Sequence, residues 1–306
     1  MKLSVGPLPY LWPRVEALAF YDMLASAPVD IVYLGETVCA RRHELRLPDW
    51  LAIAETLSAA GKEVVLSTQT LLESKSDITL LQRITGNGRF LVEANDMGAV
   101  HLLADRLPFV AGPSLNLYNE QSVQLLGGLG ACRWVMPFEM SRANLAQILA
   151  SGATLPETEV FVHGRMPLAH SARCFTARHH DLPKDDCRFS CLADADGLLL
   201  KTREGEDFLV LNGIQTQSAR YNNLLDALDD MRDLGVSVVR IAPQSQHMVR
   251  LIDGVSGVLA GRLAAVDVQQ EINSLLPTGL CNGFWHGAPG LEWHVAQSGG
   301  QRGAQA

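Results

Sequence analysis

The sequence predicts a single (β/α)8 barrel, an α/β fold in which eight parallel strands close into a ring surrounded by helices. Three observations predict it: eight short apolar runs recur along the 306-residue chain, amphipathic stretches separate them, and glycines end those stretches. An open doubly wound sheet is the alternative, but no G-x-G-x-x-G motif follows an early run. We therefore expect one barrel domain over residues 1–297 and a flexible tail over 298–306.

The predicted strands are continuous apolar runs, as expected of parallel strands that are covered on both faces. In chain order they are LSV (3–5), DIVYLGE (30–36), EVVLST (63–68), FLVEAND (90–96), FVAGPSLN (109–116), CRWVMPFE (132–139), EVFVHGR (159–165) and VSVVRIAPQ (236–244). Helical spacing of apolar residues is clearest in LPDWLAIAETLSAAG (47–61) and LLDALDDMRDLG (224–235). Gly61 and Gly235 stand where helices commonly end.

The alternation of strands and helices breaks between about residues 166 and 222. This segment contains HSARCFTARHHDLPKDDCRFSC (170–191), followed by GLLLKTREGEDFLVLNGIQT (197–216), whose two apolar runs and polar turn predict a β-hairpin. The segment follows the seventh predicted strand, so we interpret it as an insertion at the carboxyl end of the barrel. Active sites of such barrels are built there.

Composition limits the classes of function. A net charge of −8 argues against an extended surface for nucleic acid or anionic membranes, because both require a basic excess. The first residues contain prolines and charges where a secretory signal needs an apolar core, and no apolar stretch approaches the length of a transmembrane segment. We expect a cytoplasmic protein, in which thiols stay reduced and serve as ligands, catalysts or buried side chains.

The insertion carries three of the six cysteines: Cys174, Cys187 and Cys191. Most closed metal sites need four ligands, so a fourth is expected from elsewhere in the chain. Cys39 is the preferred candidate because it follows the second predicted strand and would also emerge at the carboxyl end of the barrel. Cys132 and Cys281 are the other candidates: Cys132 is expected to be a small buried side chain, whereas Cys281 is expected in a loop, and geometry does not exclude it as the fourth ligand.

Spacing alone leaves the metal open between a 4Fe-4S cluster and zinc. Only Cys187 and Cys191 are as close as the paired ligands of structural zinc sites, whereas all-thiolate cluster ligation tolerates irregular spacing. His179 and His180 lie between the cysteines and could supply nitrogen ligands to zinc.

Other polar residues are candidates for chemistry. Glu36, His163 and Arg165 occupy the ends of predicted strands, where catalytic residues of barrels lie, although a histidine in an apolar strand is more often a hydrogen-bonded core residue. Four arginines flank the cysteines and could stabilise an anionic cluster or attract a carboxylated metabolite; as solvated loop residues they would do neither. They are Arg41, Arg42, Arg173 and Arg188.

Loop residues outside the insertion are also ambiguous. Asn116 and Asn119 could contact substrate, but Asn119 also stands where a helix cap is expected. Trp285 and His286 lie between glycines, which is typical of a shaped loop near a site or an interface.

Four blocks resemble the collagenase-like family of unassigned peptidases. They are GPSLNLYNEQSV (112–123), EVFVHGRMPLAHSARCF (159–175), VVRIAPQ (238–244) and CNGFWHG (281–287). The family includes proteins that hydroxylate tRNA and a pair that acts in ubiquinone synthesis without oxygen. Cys39 together with the pattern Cys174-x12-Cys187-x3-Cys191 makes the chain most similar to the smaller member of that pair.

This resemblance implies a 4Fe-4S cluster held by Cys39, Cys174, Cys187 and Cys191. It also implies a heterodimer with a UbiU-like partner, oxygen-independent hydroxylation of the ubiquinone ring with prephenate as oxygen donor, and a lipid-binding accessory protein that presents the substrate. Two alternatives remain: a scaffold in which metal only staples the insertion to the barrel, and a peptidase of the same family. The sequence contains neither H-E-x-x-H nor G-x-S-x-G.

Overall fold

The computed structural model describes residues 1–295 and confirms the predicted α/β barrel. Its strands are β1 (Lys2–Val5), β2 (Ile31–Leu34), β3 (Glu63–Ser67), β4 (Leu91–Ala94), β5 (Phe109–Ala111), β6 (Ala131–Val135), β7 (Glu157–His170), β8 (Leu198–Lys201), β9 (Asp207–Asn212), β10 (Gln215–Asn223), β11 (Val238–Ile241) and β12 (Leu280–Cys281). The predicted tail over 298–306 lies outside the described residues.

Ten α-helices complete the described part of the fold. They are α1 (Arg14–Ser26), α2 (Leu47–Ala59), α3 (Lys75–Thr85), α4 (Met97–Leu103), α5 (Glu120–Gly128), α6 (Arg142–Leu149), α7 (Phe175–His179), α8 (Leu228–Leu234), α9 (Met248–Leu259) and α10 (Ala265–Leu275). Over residues 1–295, none of them has the length and apolar character needed to cross a membrane.

Eight parallel strands form the ring. Strands β1 to β7 pair in sequence, and β11 pairs in parallel with both β1 and β7, which closes the barrel. Val238 of β11 lies opposite Lys2 on one side and Glu159 on the other. Each predicted apolar run supplies one strand of this ring, because a parallel strand buried on both faces needs apolar residues at nearly every position.

Two helices end at or near the glycines that the sequence analysis identified as helix ends. Gly61 comes shortly after α2 with a φ of +82°, and Gly235 ends α8 with a φ of +90°, both in the left-handed region that glycine adopts without strain. The predicted helix over 224–235 differs at its start, where residues Leu225–Ala227 form a 3-10 turn before α8.

The inside of the ring combines apolar and charged side chains. Apolar residues such as Tyr33 and Val238 pack together there. The carboxylate of Glu159 accepts hydrogen bonds from Arg240 Nε at 2.7 Å and Ser4 Oγ at 2.6 Å, and Arg240 Nη1 donates to Glu93 Oε1 at 2.8 Å. Because these groups are buried and mutually paired, they form a charge layer beneath the carboxyl end of the barrel.

The insertion is built on an extension of β7. The first half of this 14-residue strand belongs to the ring, and its second half pairs antiparallel with β10. Strands β8 and β9 form the predicted hairpin, and β10 adds a third antiparallel strand next to β9. The seventh strand therefore carries the inserted sheet directly, without a flexible linker.

Gly164 lies where β7 changes from the ring to the inserted sheet, and alanine there should destabilise the fold. Its φ is +135°, and an added Cβ would lie 2.5 Å from Ala242 Cβ and 2.9 Å from Phe161 Cζ. Backbone strain and overpacking should together lower the free energy of unfolding of Gly164→Ala by about 2 to 4 kcal/mol. Urea denaturation followed by circular dichroism measures this difference.

Gly205→Ala is the matched control. Gly205 also has a positive φ of +91°, but no described atom lies within 4 Å of an added Cβ. Only the backbone strain remains there, so we expect a loss of about 1 kcal/mol. Equal losses in the two variants would show that close packing at Gly164 is unimportant.

Candidate functional site

Four cysteine side chains from two distant parts of the chain lie near one another at the carboxyl end of the barrel. Cys39 follows β2, is 9% exposed, and packs in a small apolar cluster with Ile214 and Cys174. Cys191 lies close enough to Cys174 and Cys187 for their charges to act on its pKa. The structure thus brings together all four cysteines that the sequence singled out, and none of them is in a disulfide.

The insertion presents its cysteines from short turns. Cys174 caps α7, and its Sγ accepts a hydrogen bond from Ala177 N at 3.3 Å. Between Cys187 and Cys191, Arg188 and Phe189 both adopt left-handed backbone conformations, with φ of +50° and +52°. Two adjacent non-glycine residues in this region cost of order 1 to 3 kcal/mol each, and such strain is found at ligand sites more often than elsewhere.

Arg42 is the charged residue most closely associated with these thiols. It is 4% exposed, and its guanidinium donates from Nη1 to Pro9 O and from Nη2 to Asn212 Oδ1, both at 2.7 Å. Its Nε is buried without a hydrogen-bond partner among residues 1–295. Four thiols beside a buried cation with an unused N–H fit an anionic, thiolate-bound cluster, which would neutralise the charge and accept a hydrogen bond.

Burial controls the protonation state of two of the thiols, Cys39 and Cys191. It raises the pKa of Cys39 to about 11, partly offset by the Arg42 charge, and it also raises the pKa of Cys191 against the opposing effect of Arg42. Thiols with a pKa above the normal range are protonated at neutral pH, whereas metals bind thiolates. Metal binding at this site would therefore release protons.

The other arginines near the cysteines are more exposed. Arg41 is half-buried and donates to Asp185 O at 2.7 Å, Arg173 is exposed, and the exposed Arg188 lies 3.8 Å from Asp186. The expectation that four arginines surround the thiols therefore applies closely to Arg42 alone.

The histidines do not converge with the thiols on one ion position. His179 and His180 are exposed, and their rings contact each other at 5.2 Å between centroids. In the described part of the chain, no three His, Cys, Asp or Glu side chains are arranged to hold a single metal ion. In a 4Fe-4S cluster each thiolate binds a different iron, so its ligands stand further apart than those of one zinc ion.

Glu36 shapes the loop that carries Cys39. Its Oε1 accepts hydrogen bonds from Val38 N at 2.8 Å and Cys39 N at 2.9 Å, and it lies 3.8 Å from Arg42 Nη1. Burial raises the pKa of Glu36, and Arg42 opposes this effect. Through these contacts Glu36 fixes the backbone of the Cys39 loop and so acts as a positioning residue.

His163 is a buried, hydrogen-bonded histidine of the core. Its Nδ1 lies 3.3 Å from Asn223 Nδ2, and its ring stacks on Tyr221 with a centroid distance of 6.0 Å. Burial lowers the pKa of His163 to about 4, so the ring is neutral at neutral pH. Its Nε2 is buried without a hydrogen-bond partner among residues 1–295, so hydrogen bonding accounts for one of the two ring nitrogens.

A cavity opens at the mouth of the barrel. Residues from the ends of all eight ring strands and from the inserted sheet line this cavity, which is open to solvent. Arg165, the third strand-end candidate after Glu36 and His163, lies in the wall of this cavity and is 5% exposed. Phe138 and Phe161 supply apolar surface, while His170 and Gln215 bring polar atoms from the inserted sheet.

A chain of hydrogen bonds joins Arg42, beside the cysteines, to this cavity. Arg42 donates to Asn212, and Asn212 Nδ2 donates to Gln215 Oε1 at 3.1 Å. Gln215 Oε1 also accepts from Gln217 Nε2 at 2.9 Å, and Gln215 Nε2 lies 3.0 Å from His170 Nε2. The thiols and the barrel mouth are thus two parts of one polar region.

Two cysteine predictions were wrong. Cys132 is exposed because it is the second residue of β6, at the amino-terminal edge of the ring, and its Sγ lies 3.3 Å from Phe109 O. Cys281 is not in a loop: it belongs to β12, which pairs with β10, and it is fully buried against Phe161 and Met166.

Of the remaining candidates, Asn119 and Trp285 have structural roles, whereas Asn116 and His286 are exposed. Asn119 caps α5 by accepting from Ser122 N at 2.9 Å, and Asn116 is exposed in a left-handed turn. Trp285 is 5% exposed and packs in the main core, whereas His286 is exposed.

Sequence reasoning missed Asn212, Gln215 and Arg240 as parts of the site. A usable signal existed for Arg240, because a charged residue inside the apolar run VVRIAPQ needs a buried partner. The two amides had no comparable signal, since their roles depend on the pairing of β10 with its neighbours.

Comparison with known proteins gives a family match over most of the chain. Residues 17–294 match the protein family described as peptidase family U32. Among solved structures, the U32 peptidase Mk0906 is 12% identical, with a TM-score of 0.45 over 80% of this chain and 93% of that chain.

Other structural matches are equally distant. A type I 3-dehydroquinate dehydratase from Clostridium difficile is 8% identical, with a TM-score of 0.44 over 86% of this chain and 93% of that chain. A tryptophan synthase from M. tuberculosis is 12% identical, with a TM-score of 0.42 over the same shares of the two chains. At these values the likenesses say nothing about the function of this chain.

Proposed function

Since this chain belongs to the peptidase U32 family, we propose that it is a UbiV-type iron–sulfur subunit in oxygen-independent ubiquinone biosynthesis. In this proposal Cys39, Cys174, Cys187 and Cys191 hold a 4Fe-4S cluster, which supplies one-electron transfer when bound. The observation that carries the proposal is the meeting of these four thiols, from two distant segments, beside a buried Arg42 whose Nε has no partner among residues 1–295.

The residues around the thiols have complementary tasks. Glu36 holds the Cys39 loop through two backbone N–H groups, and Arg42 places positive charge next to the thiolates. A nearby cation stabilises the more reduced, more negative state of a cluster, so Arg42 would raise its reduction potential. Arg42 also ties the site to the barrel mouth through Asn212.

The proposed reaction is hydroxylation of the ubiquinone ring, with prephenate as oxygen donor and a lipid-binding accessory protein that presents the substrate. A metal site used for chemistry needs access for other molecules. A surface cleft lined by Cys39, Arg41 and Lys184 adjoins the thiols, and the barrel mouth lies on the other end of the hydrogen-bond chain. Both openings favour a chemical role over a closed structural staple.

A UbiU-like subunit is the proposed partner in a heterodimer. The insertion exposes Leu168, Phe189, Leu192 and Phe208 by 37 to 49%. Large apolar side chains at the surface of a site-bearing segment are typical of interaction surfaces. We expect the partner to cover this part of the insertion.

Iron, acid-labile sulfide and zinc content of the chain purified without oxygen test the cluster. We expect about four irons and four sulfides per chain, with broad visible absorption from thiolate-to-iron charge transfer. One zinc without sulfide would contradict the proposal and support the scaffold alternative, in which metal staples the Cys39 loop to the insertion. Hydrolysis of casein by the metal-free chain would instead favour the peptidase alternative.

A further inference from the structure

Arg165 is buried in the wall of the barrel mouth without an acidic partner. It is 5% exposed, and its Nη1 donates to the backbone carbonyls of Ser218, at 3.1 Å, and Ala219. Its guanidinium lies over the ring of Tyr221, 4.4 Å from the centroid. Its Nε has no hydrogen-bond partner among residues 1–295.

The other buried arginines are balanced by carboxylates. Arg240 pairs with Glu93 and Glu159 at 2.8 and 2.7 Å. Arg133 pairs at 2.9 Å with Glu157, and Arg42 lies 3.8 Å from Glu36. Within residues 1–295 no carboxylate lies within 4.0 Å of Arg165, although this residue is as deeply buried as the others. An uncompensated buried charge is unfavourable, and an anionic ligand would compensate it.

Among the acids near this region, Glu93 lines the cavity and pairs with Arg240, and Asp196 has its hydrogen bonds already used. Its charge acts on Tyr10 and Tyr221, which places it on the same side of the barrel. Its two carboxylate oxygens accept from Ser245 N at 2.8 Å and Ser245 Oγ at 2.6 Å. Asp196 therefore fixes the loop after β11 and leaves Arg165 available.

We infer that the barrel mouth binds a small organic carboxylate, with its carboxylate on Arg165. A planar guanidinium in the wall of a cavity, without an acidic partner, is suited to carboxylates, which accept two parallel hydrogen bonds. The inference deepens the proposed function and rests on it for its catalytic meaning, because it names the site and the head group of one substrate. Binding itself requires no metal.

The rest of the cavity determines the body of the ligand. Phe138 and Phe161 pack edge to face, with centroids 5.0 Å apart, and prolines continue the apolar wall. Opposite them, Gln215 Nε2 donates to the ring of His170, which burial keeps neutral by lowering its pKa to about 4. These surroundings favour a compact, largely apolar body, and uncharged polar groups of the ligand can meet the amides.

Titration of benzoate and phenylpyruvate, monitored by saturation-transfer NMR on the full chain, tests the inference. Saturable binding is expected to wild type, and benzamide, a neutral molecule of the same shape as benzoate, is expected not to bind. Arg165→Gln should raise the dissociation constant roughly 10- to 100-fold, the effect of losing a charge-assisted hydrogen bond. Arg165→Lys keeps the charge and should lose less affinity.

Arg203→Gln is the control, because Arg203 is exposed in the turn between β8 and β9. It should bind both carboxylates like wild type. The inference would be overturned by no saturable binding of either carboxylate up to about 10 mM, or by equal affinity in wild type and Arg165→Gln. Equal binding of benzamide and benzoate would also overturn it even if Arg165→Gln failed to fold, and stronger binding of phenyl phosphate would show that the head group is a phosphate.

Iron content measured on the same samples separates this inference from the proposed function. Carboxylate binding by a chain that holds no iron would support the barrel-mouth site and contradict the cluster. A chain with about four irons that binds no carboxylate would support the cluster and contradict the barrel-mouth site.

Discussion

Cys39→Ala, purified without oxygen, is expected to retain less than about one iron per chain, against about four in wild type. The reason is the ligand arrangement: each thiolate of a 4Fe-4S cluster binds one iron, and loss of a thiolate leaves one iron without a protein ligand. Cys39 is also the single thiol of the set that lies outside the insertion, so its loss removes the ligand that would link the cluster to the end of β2. Iron and sulfide analysis and the visible spectrum measure the effect.

Cys174→Ala, Cys187→Ala and Cys191→Ala should deplete iron in the same way. Cys132→Ala and Cys281→Ala are the controls and should retain it, because Cys132 is exposed on β6 and Cys281 is buried against Phe161. Circular dichroism spectra of all variants check that the barrel still folds. Retention of iron by Cys39→Ala together with its loss in Cys281→Ala would identify a different fourth ligand.

The ring could be predicted from the sequence because its strands leave an unambiguous signal. A strand such as β2 is buried at all four positions, so it appears as a continuous apolar run and not as an alternating one. The inserted sheet was harder to predict in full. Two of its strands form a local hairpin, but β10 pairs with the distant extension of β7, and register shifts interrupt that pairing.

For the candidate site too, one part could be predicted from the strand order and the rest depends on the folded inserted sheet. Cys39 could be assigned to the carboxyl end of the barrel because β2 ends just before it, and this assignment needs only the strand order. The role of Arg165 could be approached but not predicted, since its lack of an acidic partner depends on what the inserted strand β10 brings beside it. Asn212 and Gln215 join the thiols to the cavity only through the folded arrangement of β9 and β10.

Glu159→Gln is expected to lower the free energy of unfolding by about 3 to 5 kcal/mol, the usual effect of breaking a buried ion pair from one side. Glu159 is fully buried, and its carboxylate accepts from Arg240 Nε and Ser4 Oγ and also from the Tyr33 hydroxyl. Glutamine removes the negative charge from beside Arg240 and presents an amide donor where a second acceptor is needed. Urea denaturation of the metal-free chain measures the loss without a contribution from bound metal.

Glu157→Gln is the matched control, because Glu157 pairs with the same layer through Arg133 but its side chain is 46% exposed. Solvent compensates the loss of this carboxylate, so we expect the free energy of unfolding to change by less than about 1 kcal/mol.

The pH dependence of the free energy of unfolding gives an independent check on Glu159. Burial raises the pKa of Glu159, but Arg240 and Arg133 outweigh burial and hold that pKa below its ordinary value. The stabilisation by the ionised Glu159 carboxylate is then complete above the ordinary carboxyl pKa and is lost as pH falls through the lowered pKa. The difference in free energy of unfolding between wild type and Glu159→Gln should therefore narrow in acid. A difference that widened in acid would mean that Glu159 is protonated in the folded barrel and that the charge layer is balanced by Glu93 alone.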